Sequence, residues 1–154
     1  MFRNLTFILV FICLACQGQT KVEKAQGSPV EFEVIMDDQQ SNDKREAFRL
    51  VNSSSDLLKI VGKANMNRSK AYKLPQVDFS SNSLLYLNLG EKTTAGYGIT
   101  VTDIVDTGSD WIVYYSIKSP GEGEMAATVM TTPFVVVKIP RASKPVRFTE
   151  LPKA

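Results

Sequence analysis

Histidine is absent from this sequence of 154 residues. Its absence excludes Ser-His-Asp and Cys-His catalytic arrangements, because both use an imidazole as the base. It also excludes zinc sites with histidine ligands. The side chains left for catalysis are carboxylates, lysines, tyrosines and hydroxyls. We predict no catalytic site, no metal site and no cofactor, because none of these side chains forms a recognisable catalytic motif.

Cysteine is almost absent as well, since Cys13 and Cys16 are the only two. Their C-x-x-C spacing is that of redox and metal motifs, but a redox motif follows a strand and opens a helix. Here an apolar run from Leu5 to Ala15 leads into the pair, and Arg3 precedes the run. That order is typical of a secretory signal, and the run is shorter than the roughly 20 residues that a membrane-spanning helix needs.

Leu14-Ala15-Cys16 resembles the lipobox of bacterial lipoproteins. We therefore predict a signal peptide at 1–15, lipidation of Cys16, and a lipid bilayer as a partner through the acylated cysteine. The predicted location is the bacterial cell envelope, at the outer membrane or cell surface. A plain secretory signal, cleaved nearby without lipidation, is the alternative. Either way the exported chain has no disulfide, so its core must hold the fold alone.

The segment after Cys16 is polar and lacks aromatic residues up to Pro29. Such a composition is typical of a flexible linker, so we predict a tether at 16–29 and a single domain at 30–154. The formal net charge is +2, and no stretch of the chain forms a basic stripe. Nucleic acid is therefore not an expected partner.

Hydrophobic periodicity indicates a mainly β (α+β) fold. Alternation at 30–36 predicts a strand with Val30, Phe32, Val34 and Met36 on one face. A helix is expected at 55–66, capped by Ser54 or Ser55, with Leu57, Leu58, Val61 and Ala64 on its buried face. Further strands are predicted at 46–52, 83–90, 95–105, 111–117, 133–140 and 146–151. The result is an antiparallel β sandwich or barrel-like domain of about 6–7 strands with one short helix.

Details of these strands follow from the same pattern. Tyr97, Ile99, Val101 and Val105 are expected on one face of their strand. The strands at 111–117 and 133–140 are apolar on both faces, which predicts central positions in a sheet. "DTGSD", at 106–110, predicts a hairpin turn. The long loop at 119–132 has no periodicity, and a loop of that length is commonly functional or mobile.

Three patterns suggest chemistry, and a simpler interpretation is favoured for each. Asp103, Asp106 and Asp110 do not have the spacing of a calcium loop and suit turn capping. "EKTTAGYG", at 91–98, lacks the order of a phosphate-binding loop. Glu122 and Glu124 could serve as an acid–base pair, but a loop rich in glycine provides no pocket to separate their pKa values.

The order of motifs from Pro75 onward resembles the PrcB C-terminal domain family. It runs through "VDF", "EKTTAGYGITV", "VYY", "SPGEGE" and "TTPFVVVKIP", over roughly Val77 to Leu151. The family pattern reads approximately P-T-G-G-Y where this chain has Thr93-Thr94-Ala95-Gly96-Tyr97. The resemblance implies an exported, often lipidated, non-catalytic subunit that docks or stabilises a protease.

The predicted function is therefore a membrane-anchored binding module for another envelope or surface protein, with a protease as the leading candidate. The predicted partner-binding residues are Thr93, Thr94, Gly96, Tyr97, Pro120, Gly121, Glu122, Thr132, Pro133 and Phe134. Two alternatives remain open. One is a small enzyme that uses carboxylates or tyrosine on cell-envelope glycans. The other is an inhibitor whose three loops resemble those of chagasin-type cysteine protease inhibitors.

Overall fold

The computed structural model describes residues 23–66, 68–121, 123 and 125–152. The predicted signal peptide and Cys16 lie outside this part of the chain, as do Glu122 and Glu124. Among the described residues, no helix is long and apolar enough to cross a membrane.

The described residues form two four-stranded sheets and one helix. The strands are β1 (Ser28–Pro29), β2 (Glu33–Asp38), β3 (Glu46–Val51), β4 (Asn82–Leu89), β5 (Gly98–Asp106), β6 (Trp111–Lys118), β7 (Phe134–Pro140) and β8 (Val146–Glu150), and the helix is α1 (Ser54–Ala64). Sheet A has the order β1-β5-β6-β8, and sheet B has the order β2-β7-β4-β3. Every neighbouring pair is antiparallel except β6 and β8, which are parallel. The sandwich prediction is confirmed, and the two-residue β1 accounts for a strand that the sequence pattern does not show.

The main core lies between the two sheets. Leu85 and Leu87 of β4 pack there with Val135 and Val137 of β7, opposite Trp111 and other residues of sheet A. The predictions for the doubly apolar strands are confirmed, because β6 lies between β5 and β8 while β7 lies between β2 and β4. Both faces of β7 are buried because α1 covers the face that points away from sheet A.

The helix begins after Ser53, whose hydroxyl accepts a hydrogen bond from the Asp56 backbone N–H at 3.2 Å. The N-cap is therefore Ser53, and not Ser54 or Ser55 as predicted. The buried face consists of Leu57, Ile60, Val61 and Ala64. Leu58 is 58% exposed, so the prediction that placed it on the buried face is wrong. Ile60 takes that place, because the spacing 57, 60, 61, 64 follows the 3.6-residue period.

Two β-bulges change the faces predicted from alternation. In β2 the register shifts between Val34 and Met36, so Met36 lies under α1 while Val34 stays 48% exposed. In β5 the register shifts between Val101 and Asp103, and Ile104 rather than Val105 joins the core between the sheets. A bulge inserts one extra residue, which moves every later side chain to the opposite face.

Residues 24–29, which we predicted to be part of the tether, lie against sheet A. Lys24 forms an ion pair with Asp103 at 2.9 Å, and the Ala25 N–H donates to the Tyr114 hydroxyl at 2.7 Å. Ser28 and Pro29 pair with the end of β5. Among the described residues, contacts with the domain therefore reach back at least to Lys24, six residues before the predicted boundary at Val30.

Candidate partner-binding surface

Two long connections meet at one end of the sandwich. The first, 90–97, joins the end of β4 to the start of β5, and the second, 119–133, joins the end of β6 to the start of β7. Because β4 and β6 both finish at this end, while β5 and β7 both start there, the two connections are neighbours.

Hydrogen bonds join the two connections directly. The Ala95 N–H donates to the Ala127 carbonyl at 3.0 Å, and the Thr131 hydroxyl donates to the Thr94 carbonyl at 3.2 Å. Lys92 and Thr131 exchange two backbone hydrogen bonds as an isolated bridge. We call residues 93–97, 120–121 and 125–130 the loop-end surface.

Gly96 is required where the two connections touch. Its φ angle is +92°, a backbone conformation that side chains with a Cβ rarely adopt. A Cβ at this position would also lie 3.1 Å from Cγ of Pro120. The glycine therefore allows the turn at 93–97 to lie close to the Pro120 ring.

The loop-end surface exposes apolar side chains. Met125 is 99% exposed, Met130 is 52% exposed and Val129 is 47% exposed. A shallow hollow of about 220 Å³ lies beside Met125, and it is lined by Ala95, Gly96, Lys118, Pro120, Met125, Ala126 and Ala127. Clustered exposed apolar groups are a feature of interaction sites. Sequence reasoning missed these residues because "MAATVM" has no periodicity, although three large apolar residues in a loop were a usable signal.

The predicted binding residues divide between this surface and the core. Thr93, Gly96 and Gly121 are exposed, and Thr94, Tyr97 and Pro120 are half-buried. Thr132, Pro133 and Phe134 are buried, so their side chains cannot touch a partner docked on the loop-end surface. The Phe134 ring instead packs near Tyr86 under α1, with ring centroids 6.1 Å apart. Glu122 and Cys16 lie outside the described residues.

The aspartates around the β5–β6 hairpin have structural partners. Asp106 accepts a hydrogen bond from the Gly108 N–H at 2.7 Å and pairs with Lys144 at 2.8 Å. Asp110 accepts a hydrogen bond from the Thr107 hydroxyl at 2.8 Å and pairs with Arg147. The Lys144 ammonium lowers the pKa of Asp106, and the Ser109 and Thr107 hydroxyls lower the pKa of Asp110. Within 23–66, 68–121, 123 and 125–152, no three carboxylates or cysteines lie close enough to hold a metal ion.

A tyrosine–carboxylate pair joins the segment after α1 to β2. The Tyr72 hydroxyl donates to Asp38 at 2.6 Å, and Arg68 pairs with the same carboxylate. Burial and the hydrogen bond to Asp38 raise the pKa of Tyr72 to about 12. Partial burial works against ionisation of Asp38, but Tyr72, the Gln40 N–H and Arg68 outweigh it and lower the pKa. Tyr72 therefore keeps its proton, which suits a structural role better than that of a base.

Comparison with known families supports the resemblance seen in the sequence. The family model described as PrcB C-terminal matches residues 83–140, a segment that runs from β4 to the last residue of β7 and includes the loop-end surface. The match is narrower than the predicted span of Val77 to Leu151. No curated protein and no solved structure gives a significant match to the chain. The predicted resemblance is therefore confirmed for residues 83–140, which match the PrcB C-terminal family.

Proposed function

We propose that this protein is a lipid-anchored, non-catalytic accessory subunit that docks another protein of the bacterial envelope, with a protease as the leading partner. The match of residues 83–140 to the PrcB C-terminal family supports an accessory role in a protease complex. The loop-end surface is the proposed docking site. Lipidation at Cys16 holds the subunit at the membrane that its partner shares.

The observation that carries this proposal is a fixed surface that exposes large apolar side chains. Hydrogen bonds from Ala95 to Ala127 and from Thr131 to Thr94 join two distant parts of the chain. Met125, Val129 and Met130 nevertheless face solvent beside these bonds. A loop that is already ordered loses less conformational entropy on binding, which favours recognition.

The anchor limits how far the docking surface can lie from the membrane. Seven residues lie between Cys16 and Lys24, which contacts the domain through Asp103, so the chain advances by eight residue steps from one to the other. At about 3.3–3.6 Å per residue, this length spans at most about 29 Å. The partner must therefore present its own docking site close to the same membrane.

Site-specific photo-crosslinking in intact cells tests the docking site. A photo-crosslinking residue replaces Met125 in one variant and Leu58 in a matched control, since both positions are exposed apolar residues. We expect a crosslinked species of higher mass from position 125 only, containing an envelope protein that mass spectrometry identifies as a protease. Equal crosslinking from both positions, or none from position 125, would contradict docking through the loop-end surface.

The structure lends less support to the two alternatives. A three-loop inhibitor needs three projecting loops, but Thr132, Pro133 and Phe134 of the third loop are buried. An enzyme that used Asp103 or Tyr72 would need them available for proton transfer. Asp103 is paired with Lys24, and the pKa of Tyr72 is raised to about 12. We therefore favour the docking function.

A further inference from the structure

A groove between β3 and α1 lies outside the loop-end surface and has no role in the proposed docking. Its volume is about 800 Å³. Ala47 of β3, Tyr86 of β4 and Ile60 of α1 form an apolar floor. Met66, which is 57% exposed, closes the end beyond the helix. We call this site the β3–α1 groove.

Cations line both sides of the β3–α1 groove. Lys59 and Lys63 on the helix pair with Asp56 and Asp43, each at 3.0 Å. Arg45 and Arg49 lie on the strand side, and neither forms an ion pair with any residue in the described part of the chain.

The Arg49 guanidinium lies 5.3 Å from the centre of the Tyr86 ring. The one other acidic residue along the groove is Glu46, which is exposed. Two arginines without carboxylate partners leave this groove with an excess of positive charge.

One edge of β3 is free to accept another strand. β3 is the last strand of sheet B, and its only strand partner among the described residues is β4. The Leu89 N–H donates to the Pro133 carbonyl, so the backbone groups of Leu89 point toward β7. Backbone groups alternate between the two sides of a strand, so those of Leu84, Tyr86 and Asn88 point toward β3. Their partners Ala47, Arg49 and Val51 complete that ladder. The backbone groups of Phe48 and Leu50 therefore point away from the sheet.

Gly62 is the unusual residue of the groove. Glycine within a helix is less favourable than almost any other residue. A Cβ at Gly62 would meet no atom within 4 Å, so packing within this chain does not require a glycine there. Gly62 also lines the groove, where a side chain would occupy its open space. The glycine therefore keeps this part of the groove open.

We propose that the β3–α1 groove binds an extended acidic segment of a partner protein, which adds to the free edge of β3 as a further strand. Arg45, immediately before β3, and Arg49, within β3, are four residues apart, with Ala47 between them, and all three line the groove. Successive same-face residues of an added strand match this spacing. The fitting motif is acidic-x-apolar-x-acidic, with the carboxylates at the arginines and the apolar side chain on the floor.

Peptide titration against the full-length chain in detergent micelles tests this proposal. The probe is a fluorescent peptide with Glu-x-Leu-x-Glu in a threonine background, and its control carries lysine in place of both glutamates. We expect saturable binding of the glutamate peptide alone. Hydrogen exchange should slow at the Phe48 and Leu50 amides, because an added strand bonds to them.

Variants separate the groove from a general effect of charge. Gly62→Leu should fill the groove and weaken binding by roughly tenfold or more, while its melting temperature stays equal or rises because leucine favours a helix. Arg45→Ala with Arg49→Ala should weaken binding by roughly tenfold to a hundredfold, the value of lost charge-assisted hydrogen bonds. Lys73→Ala, at an exposed lysine outside the groove, is the matched control and should bind normally.

Three results would overturn the proposal. The first is equal affinity for the glutamate and lysine peptides. The second is full affinity in a folded Gly62→Leu variant. The third is binding to vesicles of anionic phospholipid that depends on Arg45 and Arg49 without slower exchange at Phe48 and Leu50, which would assign the charges to a membrane surface instead.

Discussion

Trp111 is the buried residue whose removal should reduce the stability of this fold most clearly. The ring is 7% exposed and packs with Val113, Tyr115 and residues of sheet B in the core between the sheets. We expect Trp111→Ala to lower the free energy of unfolding by about 3–5 kcal/mol, because it removes buried surface and leaves a cavity. That loss is large against a typical total of about 5–15 kcal/mol.

Urea denaturation followed by far-UV circular dichroism measures this loss. Fluorescence is unsuitable because Trp111 is the only tryptophan. Trp111→Phe is the control and should cost less, since it keeps an aromatic ring in the core. An unchanged denaturation midpoint for Trp111→Ala would show that the ring contributes little to the core.

At the scale of elements, Asp38 decides how the segment after α1 is attached to β2. Its pKa in the folded state lies below the ordinary value of 3.8, because Tyr72, Gln40 and Arg68 outweigh the effect of burial. The stability that it contributes is therefore present above that ordinary value and is lost as the pH falls through the folded pKa. We expect Asp38→Asn to lower stability at pH 7, and this difference from wild type should shrink toward pH 3.

Asp37, on the same strand, provides a control, because its substitution should change the stability in the opposite direction. Burial, and then the charge of Asp38, raise the pKa of Asp37 above its ordinary value. A raised carboxyl pKa costs stability at neutral pH, so Asp37→Asn should increase stability at pH 7. Chemical denaturation from pH 3 to pH 7 measures both variants. The same sign of change in both would contradict the pKa directions on which the prediction rests.

At the scale of the whole molecule, the proposed lipid anchor would decide where the protein works. We expect Cys16→Ser to move the protein from the membrane fraction to the soluble fraction, because the proposed acyl chains would supply the membrane affinity. Cys13→Ser is the control and should stay with the membrane. Fractionation combined with metabolic labelling by palmitate measures both. Release of Cys13→Ser but not of Cys16→Ser would assign the lipid to Cys13.

Local sequence patterns were sufficient for most elements of this fold. The doubly apolar "WIVYYSI" and "PFVVVKIP" predicted central strands, and "DTGSD" predicted the hairpin between β5 and β6. The face predictions were wrong for Met36 and Val105, because a bulge depends on pairing with the partner strand and cannot be recognised from alternation along one strand. The prediction for Leu58 was wrong because it grouped neighbouring apolar residues, whereas the buried face follows the spacing 57, 60, 61 and 64.

The sequence by itself determined the class of this protein: a β domain with one helix, no histidine chemistry, and a resemblance to the PrcB C-terminal family, which the family model confirms for residues 83–140. Composition and periodicity carry that information because they depend on residues that are close together in the sequence. Tertiary structure alone decided which residues reach a surface. It buried Phe134, exposed Met125 and paired β8 in parallel with β6. Among the described residues, it also left one edge of β3 without a partner strand, near Arg45 and Arg49. Those outcomes depend on contacts between residues far apart in sequence, which no local pattern records.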